Sequence, residues 1–185
     1  MKKSIGLLGC FILLSNTAIF AGNIPGAVTV TVSDAYYHFD EKRKMDNSAM
    51  PNLAVAYNFN SHWAFEVAAG VLNTDLEPSK GDHGVHGMLY TVDGLYRFVP
   101  YGHLEPYVIA GIGMLSLSPN GDDSEHPGNI NAGIGTQLFW GPTVAMRAEI
   151  RDVFDTTGET RNDYMINLGV SFLFGGEQAT NHYKK

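Results

Sequence analysis

Residues 143–152 read T-V-A-M-R-A-E-I-R-D. Val144, Met146, Ala148 and Ile150 are apolar, and Arg147, Glu149 and Arg151 fall between them. A repeat of two places the two sets on opposite faces of a β-strand. The same alternation recurs along the chain and predicts eight strands, at about 27–38, 51–59, 63–73, 86–98, 106–116, 129–139, 143–153 and 164–174. In a soluble sheet the apolar face meets a core and the charges meet water. In an outer-membrane barrel the apolar face meets lipid and the charges meet the lumen. Alternation alone does not choose.

The connections help to choose. Asn60-Ser61-His62 and Trp140-Gly141-Pro142 are short, and Pro100 to Glu105 is modest. The stretches 40–49, 74–85, 117–128 and 154–163 are long and polar. Long connections alternating with short ones predict an all-β, antiparallel, up-and-down barrel decorated at one rim. An even number of strands puts both termini on the short-turn side.

The non-apolar face also helps. Strand 129–139 alternates Ile130, Ala132, Ile134 and Leu138 with Asn129, Asn131, Gly133, Gly135 and Gln137. Strand 164–174 sets Tyr164, Ile166, Leu168, Val170, Phe172 and Phe174 against Asn167, Gly169 and Ser171. Water-facing sheet surfaces carry long solvated side chains, lysine above all. None of the eight predicted strands contains a lysine. Small and amide residues suit the narrow interior of an eight-stranded barrel, which side chains can fill. The charges expected there are Glu66, Asp93, Arg97, Arg147, Glu149 and Arg151, of both signs. Mutual neutralisation would remove the cost of burying them singly. A gate for ions is the functional reading of this set, and a salt-bridge plug that fixes the register is the structural one. The narrow lumen favours the plug.

The apolar face ends in aromatic residues. Tyr57, Phe59, Trp63, Tyr96, Phe98 and Trp140 lie beside the short turns, and Phe172 and Phe174 close the last strand. They are expected to form a girdle at the lipid–water boundary.

The chain's beginning adds a compartment. Lys2 and Lys3 precede an apolar run from Ile5 to Leu14, and Ile19-Phe20-Ala21 offers a small residue for cleavage. Residues 1–21 therefore read as a secretory signal peptide cut after Ala21, too short in its apolar part to span a bilayer as a helix. Leu7-Leu8-Gly9-Cys10 faintly resembles a lipoprotein box, but it comes before the apolar region has developed. Cys10 is the single cysteine, so no disulfide or cysteine metal site is expected after cleavage. The formal charge is −7, and loss of Lys2 and Lys3 makes it −9. An acidic chain without a basic stripe argues against nucleic acid as a partner.

In order along the chain stand Ala56-Tyr57-Asn58-Phe59, Trp63-Ala64-Phe65-Glu66 and Glu105-Pro106-Tyr107-Val108-Ile109-Ala110-Gly111-Ile112-Gly113. Asn131-Ala132-Gly133-Ile134-Gly135, Arg147-Ala148-Glu149-Ile150-Arg151-Asp152 and Phe172-Leu173-Phe174-Gly175-Gly176 follow. In these motifs and their spacing the sequence resembles the N-terminal barrel domain of the outer membrane protein A family and its major-porin relatives. The resemblance covers essentially the whole chain after the signal. It implies an eight-stranded transmembrane β-barrel over residues 22–176, in the outer membrane of a Gram-negative bacterium. It also implies roles in envelope integrity, adhesion or slow permeation of small solutes. The implied partners are outer-membrane lipid and lipopolysaccharide, the barrel-assembly machinery, and host or surface ligands at the long loops. Many relatives continue into a peptidoglycan-binding domain. Here residues 177–185 follow as a short periplasmic tail, so direct peptidoglycan anchoring is not expected.

Three further constellations carry less. His83 and His86 are three apart, so a strand would point them to opposite faces, and no third metal ligand is evident. The acidic stretch from Pro119 to Glu125 lacks the ligand spacing of a calcium loop and reads as a solvated rim loop. Ser124, Glu125 and His126 are neighbours in one loop, which is not the convergent geometry of a lipid-modifying hydrolase. No cofactor, metal or enzymatic activity is expected.

Overall fold

A computed structural model describes residues 22–40, 47–75, 84–119, 128–156 and 161–176. The signal at 1–21, the tail at 177–185, His83 and the Ser124–Glu125–His126 cluster lie outside the described residues, as does most of the acidic loop. Eight strands run in order: β1 (Ala27–His38), β2 (Ser48–Asn58), β3 (Trp63–Asp75), β4 (Gly84–Arg97), β5 (Leu104–Pro119), β6 (Gly128–Phe139), β7 (Val144–Asp155) and β8 (Asn162–Gly175). Each pairs antiparallel with its sequence neighbours, and β8 pairs with β1 to close the barrel. Closure leaves no sheet edge, as a backbone in lipid requires.

The strands sit within a few residues of the periodicity. The largest differences lie at the long-loop rim, where β2 begins three residues earlier, at Ser48, and β5 runs on to Pro119. There the inter-strand hydrogen bonds outlast the apolar alternation. At the other rim β5 starts at Leu104, which brings Glu105 into the sheet. The short turns are locally determined. The Asn60 side chain accepts hydrogen bonds from the backbone N–H groups of His62 and Trp63, at 2.8 and 2.9 Å. In the turn before β5, Gly102 adopts a φ of 64°, which a side chain would disfavour.

The two faces separate cleanly. Ile112, Ile134, Ile150 and Leu168 point outward and are largely exposed. On β7, Arg147, Glu149 and Arg151 alternate with the outward Met146 and Ile150 and are buried in the lumen. Burial of charge inside and exposure of isoleucine outside inverts a soluble sheet, and it is the arrangement a lipid surround stabilises.

The sequence reading puts small, amide and charged residues in the interior. The lumen near the long-loop rim is instead mainly apolar, with Tyr37, Met50, Leu72, Leu89, Leu115 and Met165 packed together. These strand ends are apolar on both faces, so alternation does not distinguish inside from outside there. Most of the polar filling occupies the lower and middle lumen, while Asp163 and Asn129 are buried at the long-loop rim, where the Tyr37 hydroxyl donates to Asp163 at 3.0 Å. Lumen glycines make room for it: a Cβ on Gly135 would run into the Tyr107 ring, and one on Gly111 into Asp93.

Candidate functional site: the charged lumen

Arg147 projects inward from β7. Its Nη1 and Nη2 donate to Glu66 of β3 at 2.5 and 3.0 Å, a two-pronged pair across the barrel. Nη2 also donates to Glu149 at 2.7 Å, and Nε donates to the Tyr107 hydroxyl at 2.7 Å. That hydroxyl in turn donates to Glu149 at 2.7 Å. The Arg147 guanidinium lies 5.1 Å from the Tyr107 ring centre, within cation–π range.

Arg151, two residues on, faces the same way. Its Nε and Nη2 donate to Glu149 at 3.0 and 2.8 Å, and its Nη1 donates to Asp93 of β4 at 2.9 Å. Asp93 accepts further hydrogen bonds from Thr91 and Asn131. Glu66, Asp93, Arg147, Glu149 and Arg151 thus form one connected network. Its planar, multiply donating arginines satisfy the carboxylates that burial would otherwise penalise.

Arg97 stands apart from this group. It lies lower on β4, donates to Asn58 at 2.9 Å and has its Nε 3.6 Å from Glu105. Glu105 and Tyr107 are the site residues that the sequence reading missed. Glu105 was placed in a connection. Tyr107 lies in an apolar run whose polar phase consists of glycines, which are silent in a hydrophobicity pattern. The signal available was phase: 105, 107, 109 and 111 share a face.

The expected girdle residues all lie on the outer wall. Tyr57, Phe59, Trp63, Phe98, Trp140, Phe172 and Phe174 are exposed, and Tyr96 is half-buried. Trp63 meets Tyr96 edge-on at 5.0 Å, and Tyr96 meets Phe98 at 5.3 Å. Tyr36, Tyr90, Phe154 and Tyr164 add outward aromatics toward the opposite rim, which the sequence reading did not single out. His86 also faces outward and bonds to Asn73 at 2.7 Å. Among the described residues, no three metal-ligating side chains converge.

Known proteins share this architecture. The chain is 24% identical to outer membrane porin F of Pseudomonas aeruginosa over 97% of its length and 53% of that protein, so it spans about half of the relative. The crystal structure of the N-terminal β-barrel domain of Pseudomonas aeruginosa OprF aligns with a TM-score of 0.63 at 18% identity, covering 82% of this chain and all of that one. Ail, the attachment invasion locus protein of Yersinia pestis, aligns with a TM-score of 0.57 at 20% identity, with coverage of 82% and 100%. Residues 8–174 match the family described as outer membrane protein beta-barrel domain, so the chain belongs to that family of outer-membrane barrels.

Proposed function

We propose that this protein is a structural and interaction component of the Gram-negative outer membrane, exported by residues 1–21 and cut after Ala21. The barrel anchors the chain, and the four long connections present surface outside the cell for envelope contacts or adhesion. One observation carries the anchor reading over a transport reading: the lumen is crossed by an interlocked layer of Glu66, Asp93, Tyr107, Arg147, Glu149 and Arg151, with an apolar layer beyond it. Side chains held by several charge-assisted hydrogen bonds do not yield readily to a passing ion.

The alternative reading is a small conducting porin. It is favoured by the name of the porin F relative. Planar-bilayer conductance separates the two. A purified, heat-modifiable barrel that leaves the membrane near its bare conductance supports the anchor. Sustained single-channel steps at neutral pH overturn it in favour of the porin.

A further inference from the structure

Residues 22–25 do not trail away from the barrel. They cross beneath its short-turn mouth. The Asn23 backbone N–H donates to Glu105 Oε1 at 3.0 Å, and the Asn23 side chain donates to the Asn60 carbonyl at 3.2 Å. Ile24 packs on Phe139, Ala145 and Leu173 of β6, β7 and β8. Asn23 is 8% exposed. A methyl placed on Gly22 would lie 3.6 Å from Glu105 Oε1 and 3.2 Å from Pro100. The Gly22 nitrogen is three covalent bonds from that of Asn23, so at most about 4 Å from it.

The charge balance points the same way. Buried in the lower and middle lumen, among the described residues, are Glu66, Asp93, Glu105 and Glu149 against Arg97, Arg147 and Arg151. One negative charge is in excess. Glu105 Oε2 is buried without a hydrogen-bond partner, and the nearest guanidinium nitrogen, 3.6 Å away, is too far for one. Arg97 is its ion-pair partner, and a buried carboxylate oxygen in that state can still accept a hydrogen bond from a further donor.

We infer that Glu105 is the binding site for the chain's own amino terminus: the α-ammonium of Gly22 pairs with it and fastens residues 22–25 across the periplasmic mouth. This rests on the proposed cut after Ala21. Hydrolysis there consumes one water, leaves a carboxylate on Ala21 and an amine on Gly22, and the amine takes a proton from solvent at neutral pH. Before the cut the Gly22 nitrogen is a neutral amide, so maturation itself creates the cation that balances the lumen. Arg97 on β4 and His62 in the turn after β2 are the other titratable groups facing Glu105, and the Arg97 guanidinium opposes the ammonium. The pair therefore depends on the negative excess of the whole network.

The test uses the mature protein purified from membranes. N-terminal sequencing fixes its first residue. Reductive methylation with ¹³C-formaldehyde then labels the α-amine, whose titration is followed by NMR in the folded barrel and in urea. Pairing predicts that the folded-state amine titrates about one pH unit or more above its unfolded value, a tenfold or greater gain in proton affinity. Glu105→Gln, if heat-modifiable mobility reports it folded, removes the difference. A Gly22 amine that titrates alike in folded and unfolded wild-type protein overturns the ion pair alone, whatever the variant does. A first residue other than Gly22 overturns the processing reading and the pair with it.

Discussion

Replacing Glu149 by alanine tests whether the charged lumen is a structural plug. Glu149 accepts four hydrogen bonds: two from Arg151 at 3.0 and 2.8 Å, one from Arg147 at 2.7 Å and one from the Tyr107 hydroxyl at 2.7 Å. It is 3% exposed. Breaking a fully buried pair by removing one partner costs about 3–5 kcal/mol. Here each arginine keeps a second carboxylate, Glu66 for Arg147 and Asp93 for Arg151. The expected cost is therefore at the lower end, about 3 kcal/mol. With a urea dependence of about 1–3 kcal/mol per molar, the unfolding midpoint should fall by about 1–3 M. Unfolding from lipid vesicles can be followed by fluorescence of Trp63 and Trp140, which face outward and leave the bilayer on unfolding. Conductance is measured on the same preparation. An unchanged midpoint with raised conductance would refute the plug and establish a gate. No change in either would mean that the hydrogen bonds around Glu149 contribute nothing net.

Three further tests probe the rest of the barrel by the same unfolding assay. Val170→Arg places a charge on the lipid face of β8 and should cost about 2–4 kcal/mol, whereas Asn167→Ser in the lumen should cost much less; equal costs would mean that the faces are inverted. Gly135→Ala drives a methyl into the Tyr107 ring and to 2.8 Å from the Ala148 carbonyl, and should destabilise by about 1–3 kcal/mol, with Tyr107→Ala partly rescuing it; additive losses would refute the steric coupling. Asp34 points outward between Val32 and Tyr36, paired in register with Leu168 and Pro51. Removing a carboxylate from this apolar surface by Asp34→Val should stabilise the barrel by up to about 2 kcal/mol, and a loss of stability would show that the acid is satisfied there.

The sequence by itself determined the strand count, their order and the identity of the two faces. Each follows from local rules: a period of two, turn residues and loop length. Val144 to Asp155 needed nothing beyond its own alternation to send Arg147, Glu149 and Arg151 to one side. Which charges meet was decided only by the closed barrel. Arg147 reaches Glu66, 81 residues away, because eight tilted strands bring β7 and β3 to opposite sides of a narrow lumen. Arg97 belongs to Glu105 rather than to the central group because its height on β4 matches the start of β5, and pattern carries no heights. The apolar upper lumen was hidden for a related reason. Where both faces of a strand are apolar, alternation has no contrast, and only closure says that Leu72, Leu89 and Leu115 face one another instead of lipid. The lumen glycines were legible as small residues, but their purpose was not. Gly135 is small because Tyr107, on the neighbouring strand, needs the space, and a linear sequence does not contain that neighbour.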